Sequence, residues 1–262
     1  MVGKYSITKV AVVGNTKLTL KALLSLNRLP NIEIKAILGL GAEKCYDKVN
    51  YTPLSGFVNS TDTEAVLIQE DNWDLFYECC NDLGVELIIL LGDSRIVPNN
   101  ILKSFKVIGN HGAVLPDFQG GASLVWGRMI NNGEWGISIM EIEKKVDSGK
   151  ILKIKKFNYE EDCSEEDFTN VCDDLTVQAL LEVIRGEYQP IENISWDVKI
   201  AKHTDSSEVI DLCKICLSKG LNIYLPPRTP KDSLVKDNWD EEFKYIFKIS
   251  NDKPYPKWYS PV

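Results

Sequence analysis

Glu86–Leu91 reads ELIILL, one charge followed by five aliphatic residues in a row. A strand covered on both faces of a sheet has this pattern, since neither face meets water. The neighbouring segments repeat the theme. Lys9–Gly14 (KVAVVG), Glu33–Leu38 (EIKAIL) and Phe105–Gly109 (FKVIG) are short, β-branched and apolar. Helical patterns lie between them. Asn15-Thr16 can cap a helix that gathers Leu18, Ala22, Leu23 and Leu26 on one face, and Asp71–Leu83 has the same periodicity. Gly39–Thr63 is weakly patterned and is expected to be loop with short elements. Further along, Ala122–Asn131 reads as helix, Gly136–Ile142 and Gly149–Ile154 as strands. Asp167–Ile184 reads as a long helix, capped by Ser164 and stopped at Gly186.

Strands alternating with helices predict an α/β fold: a Rossmann-like, mostly parallel open sheet with helices on both faces. Ligands of such sheets bind beyond the carboxyl ends of the strands. Gly92–Pro98 and Asn110–Pro116 are the two loops that qualify by position. Past Ser195 the elements shorten, and prolines and aromatic residues gather. Residues 1–194 are therefore expected as the main domain and 195–262 as a small C-terminal subdomain.

Composition narrows the function. The 262 residues are 44% hydrophobic and 26% charged, the balance of an ordinary globular protein. No apolar run is long enough for a bilayer, the start MVGKYSITKVAVVG does not read as a signal peptide, and Ser260-Pro261-Val262 is no lipidation box. A cytoplasmic protein without a membrane partner is expected. A net charge of −8, with no cluster of Lys and Arg, disfavours a nucleic-acid partner. Of seven cysteines only Cys213 and Cys216 form a CxxC, and no matched second pair completes a zinc site. Reduced, partly buried thiols and no bound metal are expected.

One of the two histidines stands in Gly109–Pro116, GNHGAVLP, where a predicted strand ends. Asp147, in Lys145–Gly149 (KVDSG), occupies a loop that can return to the same edge. Two readings of these residues stand side by side. An imidazole beside a carboxylate and the Asn110 amide can handle a proton and stabilise an oxyanion. Alternatively, the histidine is satisfied by backbone in a turn and Asp147 shapes the bend before Gly149. The second histidine, His203, precedes a helix capped by Asp205 or Ser206 and reads as a surface or capping-turn residue. The acidic run Glu160–Asp167 reads as a solvated face and helix start. Dinucleotide binding has little support, because VVGNTKLTL lacks the second and third glycines of G-x-G-x-x-G. Neither a P-loop nor a GxSxG elbow occurs.

The stretch Val107–Leu152 resembles the formyltransferases that use 10-formyltetrahydrofolate. It shares their histidine (His111), Leu-Pro step (Leu115-Pro116), loop glycine (Gly120) and Asp-x-Gly (Asp147, Gly149), in order and spacing. Arg228-Thr229-Pro230 and Pro254-Tyr255-Pro256 resemble the end of the family's sugar- and tRNA-modifying members. Two positions depart from the pattern. Gly109 stands where the family has asparagine, so that Asn110 falls one residue late, and Gln119 stands where it has arginine.

The resemblance implies formyl transfer to an amine through a tetrahedral intermediate, with Asn110, His111 and Asp147 as catalytic residues. It implies 10-formyltetrahydrofolate as cosubstrate, held near Leu90, Leu91, Gly92, Asp93, Glu141 and Val146, and an acceptor near Gln119, Gly120 and Arg228. Among acceptors, a nucleotide-linked amino sugar such as a dTDP-4-amino-4,6-dideoxyhexose remains once basic charge and chain length are weighed. Another small amine, or a folate- or nucleotide-binding homologue with weakened catalysis, is the alternative. Tail aromatics would stack on that acceptor or pack a homodimer.

Overall fold

The structure is a computed structural model and describes residues 7–41, 50–61, 63–228 and 230–252. Cys45, Thr229, Pro254-Tyr255-Pro256 and both chain ends lie outside the described residues. The chain forms two compact units. One runs to Asn110 and takes in Glu141–Lys144, and the other holds His111–Met140 and the residues from Lys145 onward.

The first unit is the parallel α/β sheet that ELIILL announces. Its elements are β1 (Thr8–Val13), α1 (Lys17–Leu26), β2 (Ile32–Leu38), α2 (Ser55–Ser60), β3 (Val66–Ile68), α3 (Trp73–Asp82), β4 (Leu87–Leu90), α4 (Asn99–Ser104) and β5 (Lys106–His111). The strands lie in the order β3-β2-β1-β4-β5, all parallel, as in doubly wound sheets. Alternation along each strand gives two buried faces. Ala11, Val13, Ala36, Leu38, Ile88 and Val107 pack with Phe76 and Cys80 of α3 and Ile101 of α4. Val10, Val12, Ile37 and Ile89 fill the other side, where α1 packs on β1 with Leu18, Ala22, Leu23 and Leu26 buried. Thr16 caps α1 as expected, with its hydroxyl accepting the Thr19 N–H.

The second unit contains β6 (Phe118–Gly120), α5 (Ser123–Ile130), β7 (Glu134–Glu141), β8 (Ile151–Asn158), α6 (Glu165–Ile184), β9 (Val198–Lys199), α7 (Ser206–Ser218), β10 (Ile223–Leu225) and α8 (Glu241–Ser250). β7 and β8 pair antiparallel. β10 lies between β6 and β9 in a three-stranded parallel sheet, so residues after 195 are structurally tied to the segment just past His111. Ser164 caps α6 and Asp205 caps α7, both as the sequence indicates. Cys213 and Cys216 are buried thiols on α7, and burial pushes Cys213 up to about 12.

Some boundaries move, and one short strand goes unseen. β5 continues through Asn110 and His111, two residues beyond Gly109, where its ladder with β4 ends. β8 starts two residues late, at Ile151, and runs to Asn158. β6, only three residues long, is missed by periodicity altogether.

Gly127, in the middle of α5, has a packing reason. A Cβ there would lie 2.2 Å from the Trp135 indole. Gly127→Ala should gain about 1 kcal/mol of helix propensity in isolation, yet is expected to lose about 1–3 kcal/mol overall through overpacking against a rigid ring. Chemical denaturation of the two proteins decides the sign.

Candidate active site

His111 is the last residue of β5, and only 7% of its surface is exposed. Its Nε2 lies 2.8 Å from the Phe118 carbonyl. A carbonyl only accepts, so Nε2 carries a hydrogen. Nδ1 faces the Asp147 carboxylate, with Oδ1 at 3.5 Å. Two lone pairs cannot face each other across that gap without repulsion. A protonated ring would complete an ion pair with this carboxylate.

Asp147 is 8% exposed and sits in left-handed backbone at φ +50, which Asp tolerates better than most residues. Its Oδ2 accepts the Gly120 N–H at 2.8 Å, which aims Oδ1 at the ring. Gly120 is itself left-handed at φ +98, and a Cβ there would fall 2.2 Å from the Leu225 carbonyl oxygen. The glycine allows the loop to press on β10 and present its N–H. Asn193 locks the same loop by donating its side-chain amide to the carbonyls of Asp147 (2.9 Å) and Gly149 (3.2 Å). Beneath the histidine, the Ser138 hydroxyl donates to Ala113 O and accepts the Leu115 N–H, fixing the Leu-Pro step, whose peptide bond is cis.

The structure thus brings together His111, Asp147 and Gly120. Gln119 is 2% exposed and donates to the Ile194 carbonyl at 2.8 Å, beside Asn193. Arg228 lies over the Trp126 and Phe247 rings and donates to Asp232 O and Asn251 Oδ1. Burial lowers its guanidinium to about 10. Val146 is 44% exposed.

The remaining predicted residues belong to the first unit. Asn110 Oδ1 accepts the Gly92 N–H at 3.1 Å, which fixes the amide's orientation and leaves its N–H groups outward of that bond. Gly92 is left-handed at φ +61, with Thr16 Oγ1 only 2.1 Å from where a Cβ would stand. Leu90 and Leu91 are core residues. Asp93 holds Arg95 at 2.6 Å, and Glu141 lies 3.9 Å from Lys106. Burial pulls the Arg95 guanidinium down, but hydrogen bonds and charge from Asp93 and Asp71 outweigh it and hold it above its ordinary value.

Gly109 has its own explanation. A Cβ there would come within 2.7 Å of Ile142 Cδ1 and 2.9 Å of the Leu90 carbonyl oxygen. No asparagine fits at that position, whereas position 110 points to the other face of the strand. Asn193 and Tyr224 were not singled out from the sequence. Nothing near them signals a role, because their partners lie far away in the chain.

No group of three or more His, Cys, Asp or Glu among the described residues is placed to hold a metal. No helix among them is long and apolar enough to cross a membrane.

With this fold and this histidine–carboxylate pair, the class to which the region compares is the formyl transferases. Residues 66–184 match the family model described as Formyl transferase. A methionyl-tRNA formyltransferase of Levilactobacillus brevis is 30% identical over 116 residues, which is 42% of this chain and 37% of that one. The matched stretch thus spans well under half of that relative's length. Among solved structures, a methionyl-tRNA formyltransferase from Clostridium thermocellum has a TM-score of 0.65 at 14% identity, covering 98% of this chain and 88% of that one. WlaRD, a sugar 3N-formyl transferase solved with dTDP and 5-N-formyl-THF, has a TM-score of 0.59 at 13% identity, covering 93% and 79%. At these identities the likeness is one of fold.

Gly109→Asn is expected to destabilise the protein by about 1–3 kcal/mol or more through overpacking, with no gain in any activity. A variant as stable as the parent would show that the pattern's asparagine fits after all.

Proposed function

We propose that the chain is a formyltransferase that moves a formyl group from 10-formyltetrahydrofolate to a primary amine. The observation that carries this reading is the buried His111–Asp147 pair, lying inside the segment that matches the formyl transferase family. The cosubstrate supplies a formyl carbon activated on nitrogen. Transfer forms a C–N bond to the acceptor, breaks the C–N bond to the folate, and passes one proton from the acceptor amine to the folate nitrogen. Negative charge gathers on the formyl oxygen in between.

In this reading His111 helps stabilise that oxyanion through its charge, held in place by Phe118 O and Asp147. Asp147 orients His111 and helps remove the proton from the attacking amine. Asn110, its carbonyl committed to Gly92, keeps its amide hydrogens for the oxyanion. Leu90, Leu91, Gly92, Asp93, Glu141 and Val146 are assigned to the pterin, and Gln119, Gly120 and Arg228 to the acceptor. Residues 195–262 are assigned to substrate binding or dimerisation.

For the acceptor we favour a nucleotide-linked amino sugar. The net charge of −8 with no cluster of Lys and Arg does not suit the RNA backbone. The fold likeness to a sugar formyl transferase runs over most of that chain. The curated methionyl-tRNA relatives supply the second reading, formylation of methionyl-tRNA.

Incubation with 10-formyltetrahydrofolate and a panel of nucleotide-linked amino sugars, glycinamide ribonucleotide and methionyl-tRNA, read by the mass of one added formyl group, separates these. Product from an amino sugar is the expected result. Product from methionyl-tRNA alone would overturn the acceptor but leave the reaction. His111→Ala and Asp147→Asn should each lower kcat about 10²–10⁴-fold while folate binding persists. Near-normal turnover in either would remove the mechanism.

A further inference from the structure

The geometry points to an anion-binding subsite for the acceptor on the three-stranded sheet of the second unit, built from Lys199, Tyr224 and Trp196. Its use as an acceptor site rests on the formyltransferase reading, although its ligand chemistry does not. Tyr224 of β10 is the register partner of Gln119 on one side and of Lys199 on the other. Cross-strand partners share a face of the sheet, so the three side chains form a row. Adjacent strands are spaced about 4.8 Å apart, which puts Lys199 roughly 10 Å from Gln119.

One end of the row is the candidate active site. Gly120, next to Gln119, donates its N–H to Asp147. Burial, and then the charge of Asp147, push the Tyr224 hydroxyl above its ordinary value, so the ring lies within electrostatic reach of that carboxylate. The other end is a cation. The Lys199 side chain is exposed, and its ammonium lies 5.4 Å from the centre of the Tyr224 ring. It forms no ion pair with a described residue, whereas Lys153 and Lys155 on β8 are both held by Glu182. Trp196 meets Tyr224 edge to face at 5.9 Å, and both rings keep part of their surface open.

An amine at His111–Asp147, carried on a molecule that extends along this sheet, would pass over an aromatic platform and reach the Lys199 ammonium. A ring or sugar face suits the Tyr224–Trp196 corner. A phosphate suits Lys199, since a charge-assisted hydrogen bond to an ammonium is among the stronger ones. The class of acceptor that fits is a small amine bearing a phosphate or diphosphate.

The test uses dTDP and UDP as probes, titrated into the full chain and followed by tryptophan fluorescence. Saturable quenching is expected, and it should be lost in Trp196→Phe. Lys199→Ala, a surface change that leaves the core intact, should weaken binding about 10-fold or more, the value of a hydrogen bond to a charged group. Lys199→Arg should restore most of it. In turnover, Lys199→Ala should raise KM for the acceptor rather than lower kcat. Affinity unchanged in Lys199→Ala, or no saturable response to either nucleotide, overturns the subsite. Lys199-dependent binding without any formyl transfer would remove the catalytic reading and leave the subsite. Formyl transfer indifferent to Lys199 would do the reverse.

Discussion

A buried imidazole with an acceptor at each nitrogen is the constraint on which the second unit turns. Phe118 O takes the Nε2 hydrogen and Asp147 faces Nδ1, so neither ring nitrogen is free to rotate to another partner. Leaving either group unpaired at this depth costs about 1–3 kcal/mol. The surroundings are accordingly built to hold the two acceptors in place. Gly120 fixes one carboxylate oxygen, Asn193 fixes the loop backbone, and Ser138 fixes the turn that brings Phe118 back to the ring. Each of these is a second contact that makes the first reproducible.

Much of this was legible in the sequence, for reasons that are specific. ELIILL, KVAVVG and EIKAIL became strands because a strand buried on both faces has to be apolar at every position. Thr16, Ser164 and Asp205 became caps because their oxygens accept an N–H that the helix cannot satisfy. His111 and Asp147 were found through order and spacing in one short stretch. What the sequence hid was set by distance. Asn193 reaches Asp147 across 46 positions, and Tyr224 meets Gln119 only because β10 slots between β6 and β9. β6 is three residues long, too short for any period to show.

Gly109 illustrates the limit of pattern matching. Read against the family it is a missing asparagine. In the structure it is a position with no room for a side chain, closed by Ile142 and the Leu90 carbonyl, while the amide beside it is anchored on Gly92. The departure and its neighbour are therefore one local arrangement of the strand end. The same holds for Gln119, which is held by the backbone at Ile194 rather than left as a vacant place for a cation.

The central claim, that His111 is fixed as a hydrogen donor at Nε2 with its Nδ1 side turned to Asp147, can be read directly. With only two histidines in the chain, ¹⁵N-histidine labelling and a His203→Gln control give unambiguous ring-nitrogen shifts. The account predicts a protonated, pyrrole-type Nε2 in His111, and a change at Nδ1 when Asp147 becomes Asn. An unprotonated, pyridine-type Nε2 in the native protein would contradict it.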